Sequence, residues 1–339
     1  MDVRDQLQAT VDAMVQPGKG ILAMDESSPT IAKRFKAINV ESTEENRRTY
    51  RSLILATPGL GEFISGIILF EETLAQQADD GTPLPELATR HGIVPGIKVD
   101  HGKLPLANAP GEEITEGLDG LAQRLIGYQQ QGARFAKWRD VYHVCGTTPT
   151  PLAIETNAEV LARYAAICQT HGIVPIVEPE VLIDGDHSID RCAEVTEAVL
   201  HEVFRALFRH HIVLEHMLLK PNMVIPGKTQ PTKATPEEVA RQTIKIFRRV
   251  VPAAVPSINF LSGGQTPEEA TANLNAMNCL AQQPWELSFS YGRALQEPAL
   301  DAWKGNAANA ERTQSALHHR AMLNRAARFG EYRSIMESI

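Results

Sequence analysis

The sequence lacks any apolar run of about 18 residues, the minimum length of a membrane-spanning helix. Its first twenty residues, MDVRDQLQATVDAMVQPGKG, also lack the apolar core of a signal peptide. We therefore expect a cytoplasmic protein, with a processed plastid form as the alternative. Basic charge is not in excess, because 33 Lys and Arg stand against 41 Asp and Glu, a net charge of −8. Nucleic acids and anionic membranes need broad basic faces, so neither is expected as a partner.

Cysteine and metal-binding patterns are also scarce. The four cysteines are Cys145, Cys168, Cys192 and Cys279, and none of them forms a CxxC pair. We expect free thiols in a reducing compartment, packed as small buried residues. No HExxH motif occurs, and the pairs His210–His211 and His318–His319 lie in helical stretches, where neighbours point about 100° apart. We therefore expect no metal and no other cofactor.

What the sequence does contain is a regular alternation of short apolar runs with stretches of helical period. The eight runs are residues 20–25, 63–70, 94–100, 133–139, 173–180, 216–222, 256–264 and 286–294. Eight β-then-α units predict a (β/α)8 TIM barrel, an α/β fold, as one domain over residues 1–339 with a short tail from about 330. The alternative, a doubly wound sheet, needs a glycine-rich fingerprint after its first strand, and ESSPTIAKR is not one.

Capping residues predict where several helices begin and end. Ser42 and Glu45 have the spacing of a capping box. Thr235 and Thr266 each precede a proline and two acidic residues, which is typical of a helix start. Gly172 follows a long helical stretch at the position of a C-terminal cap.

The predicted strands end in charged or polar residues although their interiors are apolar. These residues are Asp25, Lys98, Asp100, Lys137, Arg139, Glu178, Glu180, Lys220, Ser262, Ser290 and Arg293. In (β/α)8 barrels the carboxyl ends of the strands form the active site, and residues two apart on a strand point to the same face. We therefore expect these groups to meet at the mouth of the barrel rather than to be separate solvated strand tips.

Lys220 lies in the apolar run HMLLKPNMV, where an ammonium group is costly to bury unless it is paired or loses its charge. Partial desolvation and neighbouring cations favour the neutral amine, which can attack a carbonyl and form a Schiff base. The nearby carboxylates would then transfer protons. The alternative is a lysine that snorkels or is paired in the core.

Two glycine-containing stretches follow the seventh and eighth strands, namely LSGGQ at residues 261–265 and SYGR at residues 290–293. Glycine lets the backbone approach an anion, and these two loops often bind phosphate in barrel enzymes. The stretches predict a phosphate site made of Ser262, Gly263, Gly264, Ser290, Gly292 and Arg293. Lys98, Lys137 and Arg139 suit a second phosphate across the mouth.

Nine segments, in order, resemble the class I (Schiff-base-forming) fructose-bisphosphate aldolase family. They are GILAMDES, IAKRF, ESTEENRRTYR, PGIKVDHG, ARFAKWR, IVPIVEPE, LLKPNMV, NFLSGGQ and SFSYGRALQ. The resemblance implies a barrel, usually a homotetramer, that needs no metal. It also implies the reversible cleavage of fructose 1,6-bisphosphate to dihydroxyacetone phosphate and glyceraldehyde 3-phosphate in glycolysis and gluconeogenesis.

The resemblance assigns roles to individual residues. It makes Lys220 the Schiff-base lysine and Glu178 the acid and base of carbinolamine formation and dehydration. It makes Asp25 the residue that accepts the proton of the C4 hydroxyl at cleavage, and it places Lys137 beside the Schiff base. In addition to the predicted phosphate site, it places six more residues near the substrate: Ser27, Arg34, Arg47, Lys98, Arg139 and Glu180. It puts the first three of these around the second phosphate. Many family members end in a tyrosine that assists proton transfer, whereas this sequence ends in Ile339 and has Tyr332 nearby.

Two other functions are alternatives at this stage. One is a lysine-dependent aldolase that prefers fructose 1-phosphate or sedoheptulose 1,7-bisphosphate. The other is a non-catalytic barrel, which predicts losses among the reactive residues. The presence of all four, Asp25, Lys137, Glu178 and Lys220, favours an enzyme.

Overall fold

The computed structural model describes residues 2–338, and its strands form a closed barrel. The strands are β1 (Gly20–Met24), β2 (Ile64–Leu69), β3 (Val94–Lys98), β4 (Lys103–Pro105), β5 (Glu113–Thr115), β6 (Phe135–Tyr142), β7 (Val174–Val181), β8 (Leu218–Leu219), β9 (Ser257–Phe260) and β10 (Glu286–Tyr291). Eight of them are parallel and lie in the order β1, β10, β9, β8, β7, β6, β3, β2, while β4 and β5 form a separate antiparallel pair. The barrel prediction is confirmed, because a doubly wound sheet does not close.

Helices follow the barrel strands. They are α1 (Val3–Met14), α2 (Ser28–Ala37), α3 (Glu44–Leu55), α4 (Glu71–Leu74), α5 (Leu84–Arg90), α6 (Leu121–Gln130), α7 (Pro151–Thr170), α8 (Ile189–Arg209), α9 (Pro236–Val250), α10 (Pro267–Asn278), α11 (Arg293–Trp303) and α12 (Ala310–Arg328). Within residues 2–338, none of the helices is both long and apolar enough to cross a bilayer.

The strands are buried on both faces, as expected for parallel strands covered by helices. Every residue of β1, β2 and β7 is buried. Helix α1 closes the amino-terminal end of the barrel, because its Leu7, Val11 and Met14 pack in one apolar cluster with Phe135 and Ile176. The mouth that carries the predicted site is therefore at the opposite, carboxyl end of the strands.

The barrel closes where the first strand meets the last. In the register, Ile21 of β1 is paired with Ser290 of β10. Two side chains reinforce this seam: Ser288 donates a hydrogen bond to the carbonyl of Lys19 at 2.9 Å, and Gln296 donates one to the carbonyl of Ala23 at 2.8 Å. The seam thus joins parts of the chain that are far apart in sequence.

Most of the predicted caps are confirmed, and one is wrong. Thr235 and Thr266 accept from the backbone N–H groups three residues on, and Gly172 follows α7 with a φ of +70°. Helix α3, however, is capped by Thr43, whose Oγ1 accepts from the N–H of Asn46, and not by Ser42. Because Ser42 and Thr43 are both good N-caps, the sequence alone does not choose between them.

The four cysteines were expected to be free and buried, and the burial is confirmed for two of them. All four are free, as expected. Cys168 and Cys192 are buried among apolar side chains, whereas Cys145 and Cys279 are exposed. Burial was thus wrongly expected for the two cysteines that lie in a loop and at the end of α10.

Candidate active site

Four side chains from four neighbouring parts of the barrel meet, and we call them the reactive cluster: Asp25 directly after β1, Lys137 within β6, Glu178 within β7 and Lys220 directly after β8. The Lys137 ammonium lies 2.7 Å from Asp25 Oδ2 and 3.2 Å from Glu178 Oε2. The Lys220 ammonium lies 3.1 Å from the other oxygen of Glu178, Oε1. The predicted convergence of charged residues is therefore confirmed for these four, and Glu178 lies between the two lysines.

Strand geometry fixes the position of Lys220. Strand β8 is only two residues long, much shorter than the predicted 216–222. The pairing nevertheless continues, because the Lys220 N–H donates to the Val177 carbonyl at 2.8 Å. The side chain is 5% exposed, and Met217, Leu219 and Met223 nearby are fully buried. The amine is thus buried next to Glu178, and the residues near it in the chain are apolar.

The charges of the cluster are set by burial and by pairing. Burial alone would raise the pKa of Asp25, but attraction to Lys137 and Lys220 outweighs it and holds that pKa below its usual value. Burial alone would lower the pKa of Lys137, but Asp25 and Glu178 outweigh it and raise that pKa. Asp25 and Lys137 therefore form a stable ion pair at neutral pH, while Glu178 lies within direct proton-transfer distance of Lys220.

A second set of charges surrounds the cluster. The Lys98 ammonium is bound by Asp100 Oδ1 at 2.6 Å, and the guanidinium of Arg139 is paired with Glu180. Lys98 and Lys137 are register partners on neighbouring strands, which brings the two cations to the same level of the barrel. The contact between Lys98 and Asp100 agrees with the expectation that residues two apart point to the same side of the strand.

The loops after β9 and β10 lie side by side, as predicted for a phosphate site. Arg293 Nη2 donates to the Gln265 carbonyl at 3.2 Å and so links the two loops. Gly264 has a φ of +74°, and a Cβ at this position would lie 1.8 Å from the Ile183 side chain. The loop geometry therefore requires glycine here.

Other members of the same loops also fit an anion. Ser262 is buried ahead of the start of α10. The Ser290 hydroxyl is buried and has no hydrogen-bond partner among residues 2–338. A Cβ on Gly263 would lie 2.6 Å from a Glu180 oxygen, and one on Gly292 would lie 3.2 Å from the Ala23 carbonyl. Backbone and hydroxyl groups rather than bulky side chains therefore line this part of the mouth.

The three residues expected around the other phosphate occupy different surroundings. Ser27 is the N-cap residue of α2, and its hydroxyl lies 3.1 Å from that of Thr30. Arg34 stands next to the loop after β10, because a Cβ added to Gly292 would lie 3.8 Å from Arg34 Nη2. Arg47 holds Glu72 through two hydrogen bonds of 2.8 and 2.6 Å. Their contact with substrate stays a prediction.

The end of the chain packs on the outside of the barrel. Residues Ser334–Ser338 form a 3-10 helix, and Glu337 is paired with the buried Arg320 of α12. The hydroxyl of Tyr332 donates to Glu337 at 2.8 Å, and its N–H donates to Asn275 of α10. Tyr332 is therefore engaged by the tail and by α10 rather than by the reactive cluster.

No group of three or more His, Cys, Asp or Glu side chains in the described part of the chain is arranged to hold a metal ion. The reactive cluster itself consists of two amines and two carboxylates.

Comparison with known proteins decides the family. The sequence model of the family Glycolytic, described as fructose-bisphosphate aldolase class-I, matches residues 6–338. The chain belongs to the class I fructose-bisphosphate aldolases. Members of this family are carbon–carbon lyases that work through a lysine Schiff base without a metal, and fructose-bisphosphate aldolase is the function that membership assigns.

Individual aldolases match almost end to end. A probable fructose-bisphosphate aldolase class 1 of Xanthomonas campestris is 53% identical over 97% of this chain and 99% of its own length. The cytoplasmic isozyme of Spinacia oleracea is 54% identical over 97% of this chain and 92% of its own. In a co-crystal structure, the aldolase of Plasmodium falciparum superposes with a TM-score of 0.97 at 50% identity, covering 98% of this chain and 96% of that one.

Sequence reasoning did not single out two buried carboxylates, Glu26 and Asp140, that directly follow predicted site residues. Glu26 directly follows Asp25 and binds Arg34, eight residues further on. Asp140 follows Arg139 on β6 but lies behind the barrel wall, where Oδ1 accepts from Trp138 Nε1 at 3.0 Å. The alternation of β6 is the signal for Asp140, because it puts Asp140 on the face opposite to Lys137 and Arg139.

The buried Asp140 predicts a pH-dependent stability. Burial raises its pKa to about 8, against the opposing influence of Thr115 and Trp138. Since the unfolded value is 3.8, the native state holds the extra proton between these values, and stability falls as pH rises from about 4 to about 8. Asparagine carries no titrating carboxyl, so Asp140→Asn does not lose stability in this way. The melting temperature of Asp140→Asn minus that of wild type is therefore expected to rise as the pH is raised from 5 to 9.

The measurement is thermal unfolding of both proteins across that range, with a difference of up to about 1.4 kcal/mol for each pH unit. Asp301→Asn, at an exposed position of α11, is the matched control and should track wild type. An Asp140→Asn difference that does not change with pH contradicts the assignment.

Proposed function

We propose that this aldolase cleaves fructose 1,6-bisphosphate reversibly into dihydroxyacetone phosphate and glyceraldehyde 3-phosphate through a Schiff base on Lys220. The observation that carries the assignment is the position of Glu178, which touches both Lys220 and Lys137 while Lys137 holds Asp25. Lys220 is the nucleophile, and Glu178 beside it carries protons. Asp25 is the second carboxylate, on the other side of the Lys137 ammonium.

The first half of the reaction uses Lys220 and Glu178. The amine adds to C2 of the open-chain sugar, forming a C–N bond, and the C2 oxygen receives a proton. Loss of that oxygen as water leaves an iminium. Glu178, 3.1 Å from the amine, transfers to the C2 oxygen the two protons that the Lys220 nitrogen loses between ammonium and iminium, one in each step.

The second half uses Asp25. The carboxylate accepts the proton of the C4 hydroxyl, the C3–C4 bond breaks, and its electron pair moves into the iminium to give an enamine and the free aldehyde. Protonation of C3 and hydrolysis of the imine release the ketose phosphate and regenerate Lys220. Lys137 keeps Asp25 in its charged form through the 2.7 Å contact and also touches Glu178 at 3.2 Å.

Two phosphates on the substrate account for the charge around the mouth. We assign one phosphate to Ser262, Gly263, Gly264, Ser290, Gly292 and Arg293, and the other to Lys98 and Arg139 with Glu180 as supporting charge. Ser27 and Arg47 complete the set at this second phosphate. Arg34, which the resemblance also puts there, lies beside Gly292 in the structure. We therefore assign Arg34 to the first phosphate, which we take to be the phosphate of the ketose half of the substrate. Binding energy from both phosphates would fix the sugar over Lys220.

We propose further that the chain acts as a single domain, assembles as a homotetramer and resides in the cytoplasm. The assembly is supported by the family resemblance. The location is supported by the names of relatives, the cytoplasmic isozyme of Spinacia oleracea and the cytosolic aldolase 4 of Arabidopsis thaliana. Light scattering of the purified protein and fractionation of cells test these two points.

The test of the activity is cleavage of fructose 1,6-bisphosphate compared with fructose 1-phosphate and sedoheptulose 1,7-bisphosphate, with and without EDTA. We expect the highest kcat/KM on fructose 1,6-bisphosphate and no effect of EDTA. Borohydride reduction with dihydroxyacetone phosphate, followed by peptide mass mapping, should place the label on Lys220. A label elsewhere, loss of activity in EDTA, or a better monophosphate substrate would each refute the corresponding part of the proposal.

A further inference from the structure

Glu26 joins four elements around the end of β1. Its Oε1 accepts hydrogen bonds from Arg34 of α2 and, at 2.7 Å, from Gln296 of α11. Its backbone carbonyl accepts from Arg51 of α3 at 2.8 Å. The residue is 7% exposed, while Gln296 and Arg51 are essentially inaccessible. Glu26 is therefore fixed from several sides, and it comes directly after Asp25 of the reactive cluster.

Arg34 is the only one of these partners that reaches solvent to a marked degree, with its side chain 22% exposed. Its Nη2 lies beside Gly292, at the start of α11, and Gln296 belongs to the first turns of the same helix. Arg34 thus stands at the edge of the loop that we assign to a phosphate, close to the helix start.

The burial of Glu26 makes its hold on Arg34 strong. A carboxylate removed from water needs charged or hydrogen-bonding partners, and Oε2 has none among residues 2–338, so Oε1 carries the compensation. For Arg34, the bond fixes one side of the guanidinium and leaves the other N–H groups for an anion. A freely moving arginine would instead lose rotamer entropy each time that it bound a phosphate.

Gln296 ties the same carboxylate to the phosphate loop. Its Nε2 donates both to Glu26 Oε1 at 2.7 Å and to the Ala23 carbonyl at 2.8 Å, and so joins α11 to the end of β1. The distance between Arg34 and the start of α11 is therefore set by one buried acceptor rather than by flexible side chains.

We propose that Glu26 is a positioning residue that holds Arg34 ready to bind the phosphate of the ketose half of the substrate at the start of α11. The inference rests on the proposed function. It assigns no bond-making role to Glu26, which acts only through Arg34. Its consequence is that Glu26 affects the binding of phosphorylated ligands and leaves the chemistry of the imine unchanged.

The test compares Schiff-base trapping by borohydride with two ketones that differ only in the phosphate, dihydroxyacetone phosphate and dihydroxyacetone. In Glu26→Gln, which keeps the shape of the side chain, the dihydroxyacetone phosphate concentration for half-maximal trapping should rise about tenfold, the effect of losing one charge-assisted hydrogen bond. Trapping of dihydroxyacetone should not change. In steady-state cleavage, KM should rise by a similar factor and kcat should stay within about twofold.

Arg34→Met should give the same selective loss, and adding Glu26→Gln to it should have no further effect on either ketone. Glu45→Gln is the matched control, because Glu45 is also paired with an arginine, Arg48, but lies at the exposed start of α3. It should behave as wild type. Equal losses with both ketones, or additive effects of the two substitutions, would overturn the positioning role.

Failure of the proposed function looks different from failure of this inference. If wild type traps neither ketone on Lys220, the proposed function is wrong. If wild type traps both and Glu26→Gln matches it with dihydroxyacetone phosphate, only the role of Glu26 is wrong.

Discussion

Lys220→Arg is expected to lower kcat by about 10⁴-fold or more while the folded protein still binds fructose 1,6-bisphosphate. Arginine keeps the positive charge and can still pair with Glu178, which lies 3.1 Å from the lysine amine. A guanidinium does not lose its proton in proteins, so it cannot add to C2 and form an imine. The measurements are the cleavage rate, substrate binding by calorimetry and borohydride trapping, which should be absent.

The control for this substitution is Lys233→Arg, the same exchange at an exposed lysine that bonds only the Lys228 carbonyl. It should retain the wild-type rate and the label on Lys220. A Lys220→Arg enzyme with more than a few per cent of wild-type activity would show that the nucleophile is another residue.

Lys137→Met is expected to reduce kcat by about 10²- to 10⁴-fold, because the substitution affects both carboxylates that transfer protons. The pKa of Asp25 should rise, since Lys137 is the strongest of the charges that hold it down. The acid limb of the kcat/KM profile should therefore move to higher pH. Stability at neutral pH should fall by about 3 kcal/mol, the cost of leaving buried carboxylates without their cation.

Lys103→Met is the matched control for this loss, because Lys103 is paired with Glu113 on the partly exposed β4–β5 pair. Removing a surface ion pair changes stability by about 1 kcal/mol at most, and activity should be unaffected. An unshifted acid limb in Lys137→Met would show that Lys137 does not set the charge of Asp25.

The sequence predicted the barrel well because its signals are local and periodic. Each of the eight apolar runs overlaps one barrel strand, although β6 and β7 extend past the predicted ends at residues 139 and 180. Four of the charged residues predicted at the strand ends do meet. The length of β8 was overestimated, since an apolar run such as 216–222 marks burial but does not show where ladder pairing stops. The N-cap of α3 was misplaced by one residue because Ser42 and Thr43 are consecutive and both carry a suitable hydroxyl.

The details of the site were less predictable because they depend on contacts between distant parts of the chain. The sequence placed Lys220 among cations, whereas the structure inserts Glu178 between Lys220 and Lys137. Arg34 was expected at a phosphate on the basis of resemblance alone, but its fixation by Glu26 and Gln296 requires α2, β1 and α11 to be packed together. Side-chain orientation of this kind follows from tertiary packing and not from spacing.

The seam between β1 and β10 sets a condition on biosynthesis. The hydrogen bond from Ser288 to Lys19 joins residues 269 positions apart, and the pairing of Ile21 with Ser290 spans a similar distance. During synthesis β1 leaves the ribosomal exit tunnel long before its neighbour β10 is made. The edge of β1 that pairs with β10 therefore stays unpaired until most of the chain has been synthesised. Asp25 and Ser290 can come together only after that point. The barrel therefore closes late in synthesis, and the loop after β10 that we assign to a phosphate reaches β1 only then. Until that point the unpaired edges expose the growing chain to aggregation.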